Sequence, residues 1–172
     1  MSRSNITLIG MPGAGKSTVG VVVAKMLCKS FVDTDILIQQ TAGARLFEII
    51  NEKGNDGFLA LEGEVISSLD ARHTVIATGG SAVLSSSAME HLKSISTVVY
   101  LRIPVESLAE RLGDLKCRGV VLGSGQTLED LYAERAPLYE KYADVIIDSS
   151  NFSNIQTTAK KIIKRIEKKR AK

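Results

Sequence analysis

Short apolar runs recur along the chain at Ile6–Ile9, Phe31-Val32, Thr74–Ala77, Thr97–Leu101 and Val145–Ile147, and the segments between them are long enough for helices. Runs without polar alternation predict strands buried on both faces, and their alternation with helices predicts a parallel sheet in a three-layer α/β/α domain. Helices are expected over Lys16–Cys28, Leu46–Asn51, Gly57–Asp70, Val105–Leu112 and Leu128–Tyr142. Thr127, followed three residues later by Asp130, has the form of a helix N-cap. Near the C-terminus Ile155, Ala159, Ile162, Ile163 and Ile166 share one helical face, with lysines on the other side. Residues 113–126 break the pattern: glycines flank and interrupt a short apolar piece carrying Arg118, which predicts a lid that folds over a ligand.

With 172 residues and 44% apolar composition, the chain is expected to form one domain over 1–172. Its formal charge of +3 conceals an asymmetry. Residues 160–172 hold eight Lys/Arg against one acid, a local +7 that leaves the other 159 residues at −4. Basic residues confined to the solvated side and C-terminal end of an amphipathic helix suit the helix itself, so no nucleic-acid partner is expected. Cys28 and Cys117 form no metal-binding or disulfide pattern. No apolar run approaches the length of a bilayer span, so no membrane partner and a cytoplasmic location are expected.

The most specific chemistry lies directly after the first strand. Gly10-Met-Pro-Gly-Ala-Gly-Lys16-Ser17 joins a strand to a helix by a glycine-rich turn, the form of a nucleotide phosphate cradle. Backbone N–H groups of Gly13, Ala14, Gly15, Lys16, Ser17 and Thr18 would converge on ATP phosphates at a helix N-terminus. Lys16 would reach the β- and γ-phosphates, and the Ser17 hydroxyl would ligate Mg²⁺. Phe31-Val-Asp33-Thr-Asp35 places two carboxylates at the end of the second strand, and an extended segment would point both the same way. One could hold a Mg²⁺ water while the other hydrogen-bonds a hydroxyl attacking the γ-phosphate. Thr78-Gly79-Gly80-Ser81 follows the third strand at the same sheet edge, where backbone N–H groups could face a substrate. Arg118 in the lid and Arg135 in Glu134-Arg-Ala-Pro-Leu-Tyr139, a helix expected to be interrupted at Pro137, are the candidate anion-binding arginines. His73 and His91 are given no role.

Taken together, Gly-Met-Pro-Gly-Ala-Gly-Lys-Ser, Phe-Val-Asp-Thr-Asp, Ala-Thr-Gly-Gly, the arginine-bearing lid and Glu-Arg-Ala-Pro-Leu-Tyr resemble the shikimate kinase family from about residue 5 to 165. The resemblance implies a P-loop fold with a five-stranded parallel sheet in the order 2-3-1-4-5. It also implies a lid over 113–126, a substrate-binding helical region over about 36–70 and a monomer. The activity implied is Mg²⁺-dependent transfer of the ATP γ-phosphate to shikimate, giving shikimate 3-phosphate in aromatic amino acid biosynthesis. By the same resemblance Asp35 engages the acceptor hydroxyl, Asp33 lies on the magnesium side, and Gly79 and Gly80 line the acceptor site. Arg118 contacts the transferring phosphate, Arg111 stacks near adenine, Arg135 grips the acceptor carboxylate, and Asn151 borders the adenine.

Three positions depart from the family pattern. Phe58-Leu59-Ala-Leu-Glu62 carries Leu59 where the family has a second carboxylate-binding arginine, Ser81 replaces a third glycine, and Arg118-Gly-Val-Val replaces Arg-Pro-Leu-Leu. Leu59 and Ser81 both fall at the acceptor site, which keeps open a related kinase acting on another small alcohol, of homoserine or polyol type. A non-catalytic nucleotide-binding protein is the alternative from another class.

Overall fold

β1 (Asn5–Ile9) is buried along its whole length and pairs in parallel with two neighbours, β3 (Thr74–Ala77) and β4 (Ser96–Arg102). Ile6 lies opposite Val75 on one side and Thr97 on the other. β2 (Ser30–Asp33) extends the sheet beyond β3, and β5 (Val145–Asp148) extends it beyond β4, giving the order β2-β3-β1-β4-β5, all parallel. The computed structural model of the chain describes residues 3–112, 125–148 and 154–171, without the side chains of 110–112 and 170. The polar residues of the central strand are paired. Asn5 donates to Ala71 O at 2.6 Å and accepts from Thr74 N at 3.0 Å, and Thr7 shares a 2.7 Å hydroxyl contact with Ser96.

The connections fix the layers. The crossover from β1 to β2 moves one way along the sheet and that from β3 to β4 the other, so right-handed connections put their helices on opposite faces. α1 (Lys16–Met26) therefore lies on one face, joined there by α7 (Ile155–Arg170). α4 (Ser86–Ile95) lies on the other, packed on β4 and on α3 (Leu46–Ser67). α5 (Val105–Leu112) and α6 (Leu128–Tyr142) complete the second layer. The basic C-terminal segment is held from both sides of its helix. Ala159, Ile162 and Ile166 enter the main core, while Lys169 bonds Asp144 Oδ1 at 2.8 Å.

Several elements differ from the sequence-based expectation. α2 (Thr34–Ala42) starts at the last residue of β2 with no turn between, because the Asp33 carboxylate itself caps the helix. α4 begins in a serine cluster that reads as loop, yet Ser85 caps it through the Ala88 N–H and buries Ala88, Met89 and Leu92. The two helices expected over Leu46–Asn51 and Gly57–Asp70 run nearly end to end, broken at Gly54, whose φ of 69° and ψ of 176° are non-helical. Pro137 does not interrupt α6. The helix passes through it, started by the Thr127–Asp130 capping box and held beyond the proline by buried Tyr139 and Tyr142. Of the expected lid, residues 113–124 lie outside the described residues, as do Cys117, Arg118 and Asn151. Among the described residues no helix is long and apolar enough to cross a membrane.

α7 closes the core over α1, so truncating its central apolar contact should be felt by the whole domain. Ile162→Ala, at a fully buried position, is expected to cost about 2–5 kcal/mol in urea unfolding while leaving substrate KM values in place.

Candidate active site

The turn between β1 and α1 ends at Gly15, whose φ of 79° lies in the left-handed region that glycine enters without strain. α1 has no side-chain cap and no acid in its first turn, so its leading amides and positive dipole end are presented at the sheet edge. Ser17 and Thr18 are exposed there, Ala14 is buried, and Gly13 is half-buried. Lys16 is buried and folds over the turn, donating from Nζ to Gly10 O at 2.7 Å and Met11 O at 2.9 Å. Burial lowers its ammonium to about 8, against the pull of Asp35 and Asp33, so it keeps most of its charge at neutral pH.

Asp33 and Asp35 come together, but not on one extended strand. Asp33 ends β2 and Asp35 stands in the first turn of α2, with its backbone N–H donating to Asp33 Oδ1 at 3.0 Å. Thr34, fully buried between them, accepts the Gly79 N–H at 3.2 Å, so that amide is spent on fixing β2 to β3. The loop beyond is tied down from α6, where the Tyr139 hydroxyl donates to Gly80 O at 2.6 Å. Ser81 is buried and leads into a short 3₁₀ turn, Ala82–Leu84.

Gly79 is where the acids converge. A Cβ there would sit 2.6 Å from Glu62 Oε1 and 2.7 Å from Asp35 Oδ1, so both carboxylates pack where any side chain would stand. Burial and neighbouring Asp33 push the Asp35 carboxyl up to about 6, against the attraction of Lys16. Burial likewise pushes Glu62 up to about 7, with the Ser81 hydroxyl, Arg135 and Lys16 holding it down and Asp35 holding it up. Arg135, 2% exposed on α6, completes a buried group of two cations and two carboxyls.

Of the residues marked in the sequence, Lys16, Asp33, Asp35, Gly79, Gly80, Ser81 and Arg135 are thus brought to one edge of the sheet. Leu59 is not engaged in polar chemistry: it packs on the small apolar cluster of Ile38, Ile49, Phe58 and Val65 between α2 and α3. Arg111 falls in α5 with its side chain outside the described residues, and Arg118 and Asn151 lie outside them altogether. Glu62 and Thr34 were not singled out. Glu62 had a signal: it shares a helical face with Phe58, Val65 and Ile66, and an acid on an apolar face is buried for a reason. Thr34 had none, since a threonine between two aspartates reads as turn polarity.

The arrangement joins an anion cradle, a buried cation and a carboxylate basic enough to take a proton at neutral pH, which are the parts of a phosphoryl transfer site. Comparisons with known proteins agree. The shikimate kinase family model matches residues 12–167. The chain is 41% identical over 155 residues to the shikimate kinase of Pasteurella multocida, covering 88% of this chain and 89% of that one. It is 37% identical over 169 residues to that of Colwellia psychrerythraea, covering 96% and 98%. Among solved structures, the shikimate kinase from Acinetobacter baumannii in complex with shikimate superposes with a TM-score of 0.88 at 35% identity, covering 98% of this chain and 95% of that one. The Aquifex aeolicus enzyme gives 0.79 at 31% identity, covering 95% and 96%.

A carboxyl whose folded pKa is raised binds more protons folded than unfolded, so stability falls as pH rises through that window. For Asp35 the window runs from its ordinary 3.8 to about 6. Asp35→Asn removes the charge without changing shape. It should be more stable than the parent at pH 8 by about 1–3 kcal/mol, with the gain appearing between about pH 4 and 6 in urea titrations.

Proposed function

The chain belongs to the shikimate kinase family, and on that premise we propose that it transfers the γ-phosphate of ATP to a hydroxyl of shikimate with Asp35 as the base. The mutual approach of Lys16, Asp35 and Arg135 at one edge of the sheet carries this reading. In the proposed step the acceptor oxygen forms a bond to the γ-phosphorus, the bond from that phosphorus to the β–γ bridging oxygen breaks, and ADP leaves. Asp35 receives the hydroxyl proton, a task suited to a carboxylate held at about 6. Lys16 exchanges its carbonyl partners Gly10 and Met11 for phosphate oxygens, and the uncapped start of α1 receives the phosphates through the amides of residues 13–18. Arg135 holds the acceptor carboxylate.

The donor set also suits Mg²⁺. The ion binds through hard oxygens, keeps several waters and takes one or two protein ligands beside substrate phosphates. The exposed Ser17 hydroxyl and the half-buried Asp33 carboxylate would supply such oxygens. The bound ion would add positive charge to the phosphate oxygens. We also infer a monomer working in the cytoplasm without nucleic acid.

ADP release with ATP, Mg²⁺ and shikimate tests the reading. Turnover is expected, with kcat reduced about 10²–10⁴-fold in Asp35→Asn. Leu59→Arg should lower the shikimate KM ten- to a hundred-fold, the worth of a charge-assisted contact of about 1.5–3 kcal/mol. Higher kcat/KM for a hydroxy acid, amino alcohol or polyol than for shikimate would overturn the choice of acceptor.

A further inference from the structure

The mechanism above uses Lys16, Asp35 and Arg135 and leaves Glu62 without a task. Yet Glu62 is 1% exposed, and its Oε1 is buried with no hydrogen-bond partner among the described residues. Such an atom is expensive to keep unless something uses it. Among the described residues, the polar and ionisable groups that act on it are Lys16 at the start of α1, Asp35 on α2, Ser81 after β3, and Arg135 and Tyr139 on α6. On its own helix Leu59 stands one turn away and adds no charge. With all four ionised, Lys16 and Arg135 balance Asp35 and Glu62, and a bound carboxylate acceptor brings a further negative charge into the same low-dielectric space.

We infer that Glu62 couples the grip of Arg135 on an anionic acceptor to a proton, the acceptor carboxylate settling beside Arg135 as Glu62 becomes neutral. The inference rests on the proposed role of Arg135. The other described groups around Glu62 do not balance the added charge. Asp35 must stay ionised to act as base, Arg135 and Lys16 are already charged, and Tyr139, raised by burial, is neutral throughout. Glu62 is the carboxyl that burial has brought closest to neutrality at working pH, and it makes no contact with the departing nucleotide in the mechanism. Protonation releases Arg135 from a competing carboxylate and gives Glu62 a donor for its unpartnered oxygen or for the acceptor. Glu62 is then a positioning residue that acts on the acceptor through Arg135.

Linkage fixes the sign. Acceptor binding that requires neutral Glu62 weakens as pH rises above about 7, with a limiting loss of about tenfold in affinity per pH unit. The test is calorimetric titration of shikimate into the intact chain at pH 6 and pH 8, each in two buffers of different ionisation heat, together with shikimate KM and kcat across that range. Uptake approaching one proton per shikimate is expected at pH 8 and little at pH 6. Glu62→Gln should abolish the uptake and flatten the KM profile. Leu59→Arg, which brings a cation near the acceptor carboxylate, should reduce the uptake and pull the pH 8 KM toward its pH 6 value. Shikimate turnover with a KM independent of pH, or uptake persisting in Glu62→Gln, would overturn the inference and leave the function standing. Absence of both heat and turnover with shikimate at either pH would overturn the function, and the inference with it.

Discussion

Everything at the site depends on the absence of a side chain at Gly79. Three strands deliver their ends to this point. β1 delivers the phosphate turn, β2 runs into the cap of α2, and β3 ends in the loop that Tyr139 and Thr34 pin from opposite sides. Because Asp35 and Glu62 both pack against the Gly79 backbone, a single methyl would displace both carboxylates. The loop is therefore a spacer whose thinness sets how near the two acids come to each other and to Lys16. The Gly79 N–H in it serves as structure rather than as a ligand donor, since Thr34 already engages it.

That closeness is held against the tendency of charges to stay in water. Burial drives Lys16 down and both carboxyls up, so the pH at which each of the three exchanges a proton is brought toward neutrality. The surrounding structure keeps them there. The sheet is parallel and covered on both faces, Arg135 and Tyr139 come from a helix anchored by its own capping box, and α7 closes the opposite face. A site of this kind draws on the stability of the core, so residues remote from the chemistry, such as Ile162, are expected to bear on it only through folding.

The sheet and the phosphate turn were legible in sequence because unbroken apolar runs and glycine spacing are local signals. The paired acids were legible as residues but not as geometry. Asp33 and Asp35 look like neighbours on a strand, and only the capping bond from Asp35 N–H to Asp33 shows the strand turning into a helix between them. α4 was hidden by its serines, one of which is the cap that starts it. Pro137 misled in the opposite direction, because a proline costs one backbone bond and the buried tyrosines beyond it more than offset that loss. Glu62 needed a third kind of reading, in which a charged residue on an apolar face is taken as a buried group with partners.

Leu59 shows how local packing and site chemistry trade against each other in this chain. Its side chain joins Ile38, Ile49, Phe58 and Val65 in a small cluster separate from the main core, the apolar heart of the α2–α3 region. An arginine there could lay its stem on the same cluster and keep its guanidinium at the site, so leucine adds modestly to packing and gives up a charge. A cation at position 59, three residues before Glu62 on the same helix, would favour the ionised form of that carboxyl, and leucine supplies none. The Ser81 hydroxyl restores part of what is lost, since it stands beside Glu62 where a glycine would offer nothing. The two departures from the family pattern, Leu59 and Ser81, then bear on one carboxyl. Taking a cation away from Glu62 and placing a neutral hydroxyl next to it leaves a carboxyl poised between its charged and uncharged forms.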